Sequence, residues 1–123
     1  MQWLAVAAGG AIGGMLRYWL SGWIARLTGE RFPWGTLAVN SSGAMMMGLL
    51  LGLSSGLHTT EGDLWLLLGV GALGSYTTVS SLSLQTLLLA KGRQYRAAIL
   101  YVLLSLVAGI AACFLGACLG RLV

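Results

Sequence analysis

Gly69 to Gln85 reads GVGALGSYTTVSSLSLQ, and how this stretch is read decides the fold. Three glycines and seven hydroxyl residues (Ser75, Tyr76, Thr77, Thr78, Ser80, Ser81 and Ser83) lie within it. It sits inside a longer segment, Leu64 to Ala90, that is free of charge and has its midpoint at Thr77. A helix crosses a bilayer with roughly 20 apolar residues, so this segment is long enough to do so. The hydrocarbon core holds no water to satisfy loose backbone groups. Polar, glycine-rich sequence at that depth belongs inside protein or along a hydrated cavity. The stretch therefore predicts a third crossing broken at its midpoint, with the functional site at the break.

The rest of the chain has the same character. Of 123 residues, 58% are hydrophobic and 8% charged, where soluble domains carry about 25% charged residues. Mean hydropathy is +0.87. These values predict an all-α membrane protein. Residues 1–123 make a single four-helix transmembrane domain, with helices at about 2–25, 35–57, 64–90 and 97–119. That length leaves no room for a soluble catalytic domain. Gln2 to Ala25 lacks a basic leader and exceeds a signal-peptide core, so it reads as the first crossing. Cys113 and Cys118 are five residues apart, on different faces of a helix. They cannot bridge each other and read as packing thiols. The net charge of +4 comes mainly from loop Lys and Arg, which reports topology and lipid contact rather than nucleic-acid binding.

In chain order, Gly9, Gly10, Gly13 and Gly14 form two overlapping GxxxG pairs, faces that let helices approach closely where lipid supplies no hydrophobic drive. Arg17 lies in the same segment. A membrane arginine must snorkel or find partners, so it is either an anchor or an electrostatic contact for an anion. Pro33, flanked by Phe32 and Trp34, marks the start of the second helix at the interface. Asn40 is that helix's one strongly polar residue, and it shares a face with Gly43 and Met47. It is either interhelical glue or the lining of a path. Gly48, Gly52 and Gly56 make another small-residue face. The second loop, His58 to Asp63, reads as a solvated turn and not a metal site. In the fourth segment Tyr101, Ser105 and Gly109 repeat at i, i+4, i+8, a stripe that suits either packing or a polar track.

Loops one and three carry Arg26, Arg31, Lys91, Arg93 and Arg96, against Arg121 alone near a membrane end on the other side. The positive-inside rule then places both termini outside and those loops in the cytoplasm. No acid falls in any predicted crossing, since Glu30, Glu61 and Asp63 are all in loops. A proton-coupled exporter of cationic drugs needs an embedded carboxylate, which argues against the small multidrug-transporter class. Catalysis is poorly supported too, because no His, Cys or acid sits beside the hydroxyl run to activate a nucleophile. Hydroxyls, an amide and the ends of a broken helix remain. Their N–H and O–H groups can donate to a small anion, and inward carbonyls can hold a small cation. One four-helix chain is thin for enclosing a pore, so a dimer is expected.

GGAIGGMLRY near the start, PWGTLAVNSSG at Pro33 to Gly43 and GALGSYTTVSSLS at Gly71 to Ser83 resemble the Fluc (CrcB) fluoride-channel family, in the family's order and over essentially the whole chain. The resemblance implies an antiparallel, dual-topology dimer in the cell inner membrane, with two fluoride pores and a central structural sodium ion. It would export cytoplasmic fluoride passively. Asn40 matches the pore-lining amide of the GTLxxN motif, Arg17 the first-helix arginine, and Tyr101 and Ser105 the polar track of the fourth helix. Thr77 and Thr78 match the paired threonines of the break, which puts Ser80 and Ser81 beside the anion path. The backbone carbonyls of Gly74 and Thr77, from each subunit, would hold sodium.

Two departures bear on function. Where the family's TTFSTFS carries phenylalanines whose ring edges contact fluoride, this chain has Val79 and Leu82. An aromatic edge offers a positive quadrupole to an anion, which aliphatic side chains lack. Gln85 also stands where the family usually has Glu. The chain is thus expected either to conduct as a homodimer through a pathway without Phe, or to be half of a heterodimer whose partner supplies the rings.

Overall fold

A computed structural model describes residues 1–29, 31–57 and 62–122, with backbone only at 55–57. Glu30, His58 and Glu61, all assigned to loops from sequence, lie outside the described residues. The described chain is all helical. Helix α1 is Gln2–Thr28 and α2 is Trp34–Leu57. The next element, α3 (63–76), joins an α-turn at Asp63–Trp65, a π-helical stretch at Leu66–Leu73 and a second turn at Gly74–Tyr76. Helix α4 is Val79–Lys91 and α5 is Tyr95–Leu122. Three stretches, Trp34–Ser54, Asp63–Lys91 and Tyr95–Leu122, are long and apolar enough to cross a membrane. Helix α1, at 27 residues, matches them in length.

Several ends run past the bounds read from sequence. The Thr28 hydroxyl donates to the Ile24 carbonyl at 2.8 Å and Arg26 Nε to the Gly22 carbonyl at 3.3 Å, which carries α1 three residues beyond Ala25. The α4–α5 connection is a tight turn with Arg93 at φ 58°, closed by bonds from the Gly92, Arg93 and Gln94 amides to the carbonyls of Leu88, Ala90 and Leu89.

Two helix pairs set the architecture. Along α2 and α5 the GxxxG spacings 48/52 and 116/120 face each other. A Cβ at Gly48 would overlap the Cys113 carbonyl oxygen, and one at Gly116 that of Met45. Positions advance together along both helices, so the pair runs parallel. Helix α1 lies parallel to α3 in the same way, with Gly9 against the Leu67 carbonyl and Gly13 against that of Ala72. Of the two overlapping pairs in α1, the structure uses Gly9 and Gly13; Gly10 faces open space and Gly14 meets only the Ser75 hydroxyl. Backbones this close gain dispersion contact along their length, which is what holds helices together in lipid. The interior is small: Tyr101 and Val39 are fully buried, while Ile99, Val107, Ile110 and Phe114 on α5 are exposed. An apolar exterior of this kind suits lipid or another membrane-embedded surface.

Candidate functional site

Between α3 and α4 the backbone leaves the helix for two residues. Thr77 sits at φ −81°, ψ 154° and Thr78 at φ −151°, ψ 122°, both extended. The interruption exposes helix-end groups that need partners where water is scarce, and neighbouring side chains supply them. Asn40 on α2 pairs with both backbone groups of Thr78: its Oδ1 accepts from the Thr78 amide at 2.8 Å and its Nδ2 donates to the Thr78 carbonyl at 2.9 Å. The Thr78 hydroxyl caps α4 by accepting from the Ser81 amide at 3.2 Å, and lies within 3.1 Å of the Ser80 hydroxyl. On the other flank the Thr77 amide and hydroxyl both donate to the Leu73 carbonyl at 3.1 Å. Tyr76, buried, shares a 2.9 Å hydrogen bond with the Ser42 hydroxyl.

The break separates two cavities that share Thr78. The smaller, about 280 Å³, is lined by Arg17, Thr36, Thr78, Ser80 and Ser81 among others, and by no acid among the described residues. It meets the N-terminal turn of α4, where the first backbone N–H groups and the helix dipole present positive charge. With Arg17 also in its lining, it is suited to an anion. The larger cavity, about 550 Å³, is lined by Asn40, Gly74, Thr77, Val79, Leu82 and Cys113 among others. It is mostly apolar. Val79 is 75% exposed there.

The residues singled out from sequence thus fall into three places. Arg17, Ser80 and Ser81 meet on one side of the break; Asn40, Gly74, Thr77, Val79 and Leu82 meet on the other; Thr78 belongs to both. Tyr101 and Ser105 line neither cavity. Tyr101 is fully buried and donates to Gln85 Oε1 at 2.8 Å, with the Phe32 ring edge-on at 5.6 Å. Ser105 Oγ is buried with no hydrogen-bond partner among the described residues.

Sequence reading passed over Thr36, which is buried and lines the small cavity. It lies one helical turn before Asn40, and that i, i+4 spacing was available as a signal. Nothing in the spacing announced the links from Ser42 to Tyr76 or from Gln85 to Tyr101. Among the described residues no group of three or more His, Cys, Asp or Glu could hold a metal ion.

The family described as "CrcB-like protein, Camphor Resistance (CrcB)" matches residues 4–117. The chain is similar to the "Fluoride-specific ion channel FluC 2" of Rhodopseudomonas palustris, at 49% identity over 116 residues that span 92% of this chain and 88% of that protein. It is 45% identical to a "Fluoride-specific ion channel FluC" of Thermus thermophilus, across 97% of this chain and 93% of the relative. The Rhodospirillum rubrum protein of the same name is 47% identical, across 98% and 92%.

Proposed function

This chain belongs to the CrcB-like family, whose members are ion channels and not enzymes, and on that premise we propose that it forms a fluoride channel in the cell inner membrane. The observation that carries the reading is the break at Thr77–Thr78, which turns the N-terminus of α4 onto a cavity holding Arg17 and no described acid. A small anion there would meet the Arg17 guanidinium and the hydroxyls of Thr36, Ser80 and Ser81, all of which line the cavity. The relatives' names give the ion, and guanidinium and hydroxyl donors are chemistry that fluoride can use. Helix α1 serves as a fourth crossing, lipid covers the apolar exterior, and fluoride leaves the cell passively down its gradient.

The working unit is an antiparallel dimer around a structural sodium ion held by the carbonyls of Gly74 and Thr77. The backbone supports that donor set. In an uninterrupted helix the Gly74 carbonyl would accept from the Thr78 amide, and the Thr77 carbonyl from the Ser81 amide. Here the Thr78 amide goes to Asn40 Oδ1 and the Ser81 amide to the Thr78 hydroxyl. Both oxygens lose their helical donors. Gly74 and Thr77 line one cavity, and a Cβ at Gly74 would meet nothing closer than 3.9 Å, which leaves room for a partner. Bound sodium would neutralise the facing carbonyl dipoles.

A second reading is favoured by Val79, which projects into the larger cavity where the resemblance expects a ring. In that reading the chain pairs with a homologue that supplies the aromatic edges. The multidrug-exporter alternative lacks support: in the three membrane-length stretches the only acid is Asp63, at the first residue of its stretch. Purified chain in liposomes, read with a fluoride electrode and with chloride as control, tests the proposal. Fluoride efflux without chloride efflux is expected, either from the chain alone or with a co-expressed homologue. Absence of fluoride flux in both preparations overturns it.

A further inference from the structure

The groups that open the break are named by the two diverted amides. The Asn40 side chain takes the Thr78 N–H at 2.8 Å and gives a hydrogen to the Thr78 carbonyl at 2.9 Å. This reciprocal pair mimics the bonding of a neighbouring strand and suits the extended conformation of Thr78, φ −151°, ψ 122°. One of the two Nδ2 hydrogens and one Oδ1 lone pair are thereby committed. The Thr78 hydroxyl, positioned by that same conformation, takes the Ser81 N–H at 3.2 Å. Without these two captures, each amide has its α-helical acceptor four residues back: Gly74 for Thr78 and Thr77 for Ser81. In a medium poor in water an amide does not stay unpaired. Loss of the captors therefore favours closure of α3 and α4 into one helix, and closure consumes the two carbonyl oxygens.

We infer that Asn40 and the Thr78 hydroxyl are positioning residues for the cation site, holding the Gly74 and Thr77 carbonyls open by sequestering the amides that would otherwise cap them. This inference rests on the sodium reading above and changes the part given to Asn40. Its amide is mainly a clamp between α2 and the break, with a single Nδ2 hydrogen left for an anion. Because the clamp runs from α2 to the residue that caps α4, it also couples the two cavities. The conformation of Thr78 that frees the carbonyls on one side is the one that points its hydroxyl toward Ser80 and Ser81 on the other.

The test measures sodium-linked stability, so it does not depend on conduction. Thermal melts of purified full-length chain in detergent, with its homologue if dimerisation requires one, are recorded over a sodium series balanced with N-methylglucamine. Wild type is expected to gain stability with sodium. Asn40→Leu and Thr78→Val are expected to need at least about tenfold more sodium for the same gain, the scale of losing one or two hydrogen bonds. Thr78→Ser keeps the cap hydroxyl and should stay within about twofold of wild type. Asn40→Asp keeps the acceptor for the Thr78 amide, loses the donor and should fall between. If wild type ignores sodium, the sodium reading fails at its root. If wild type responds and Asn40→Leu and Thr78→Val respond equally well, the sodium site stands and the positioning role is wrong. Should Asn40→Leu not fold, the Thr78→Val and Thr78→Ser pair decides the matter.

Discussion

Ser105 Oγ is a buried hydroxyl oxygen with no partner among the described residues, and a polar atom left in that state costs about 1–3 kcal/mol. A residue kept for folding alone would be better as Ala. Ser105→Ala is therefore expected to leave thermal stability in detergent unchanged or raise it by about 1 kcal/mol, while fluoride flux in liposomes falls. A clear drop in melting temperature would show instead that the hydroxyl serves packing. Val79 and Leu82 pose the converse case, aliphatic side chains in a cavity where an anion path would gain from ring edges. If the path runs there, Val79→Phe with Leu82→Phe should raise fluoride flux by about tenfold in whichever preparation conducts, on the scale of one to two favourable aromatic contacts of about 0.5–1.5 kcal/mol. An unchanged rate would remove that cavity from the path. At this scale sequence singled out polar residues in apolar helices without saying what they touch. Asn40 stood out as an amide in an apolar helix, but its clamp on Thr78 spans 38 positions and exists only once α2 and the break are packed. The same holds for Tyr101, whose partner Gln85 lies on the preceding helix.

Among elements, the glycine spacings announced close helix pairs without saying which partner each would take. Both GxxxG registers in α1 were equivalent on paper. The structure selects Gly9 and Gly13, because their faces meet the carbonyls of Leu67 and Ala72, and leaves Gly10 in open space. The π-helical stretch at Leu66–Leu73 had no signal at all, since a wider turn leaves an all-apolar run looking the same. At mid-segment the glycines and hydroxyls contradict the local apolar pattern, and the residues there with extended backbone are Thr77 and Thr78. The pairing of α2 with α5 is open to a matched test. Gly48→Ala places a methyl against the Cys113 carbonyl and Gly116→Ala does so against Met45, backbone atoms that cannot yield. Each is expected to cost at least about 2 kcal/mol, at the upper end of ordinary substitutions. Gly10→Ala and Gly109→Ala have nothing within 4 Å and should be neutral or slightly stabilising, Ala being the better helix former by about 1 kcal/mol. Detergent melts of the four proteins check this, and equal melts would mean that the α2–α5 crossing is looser than described.

For the whole molecule, the decisive quantity is the charge on its two ends. Arg26, Arg31, Lys91, Arg93 and Arg96 are all exposed and lie at the ends of α1 and α4, in the connections that follow them and at the start of α5, against Arg121 at the end of α5. A bias of five to one should fix a single orientation with both termini outside. An antiparallel dimer needs both orientations, so a chain that always inserts one way cannot build it unaided. A reporter fused to the C-terminus should be active only on the outer side, and the chain expressed alone should extract as a monomer with little fluoride flux. Neutralising three of the loop cations as Arg26→Gln, Arg31→Gln and Arg93→Gln leaves two against one (five minus three, with Arg121 unchanged). That ratio should allow both orientations, dimers on cross-linking, and a gain in flux without any partner. Flux and cross-linking already complete in the unmodified chain would mean that five to one is not enough to fix orientation here, and that this sequence forms its channel as a homodimer.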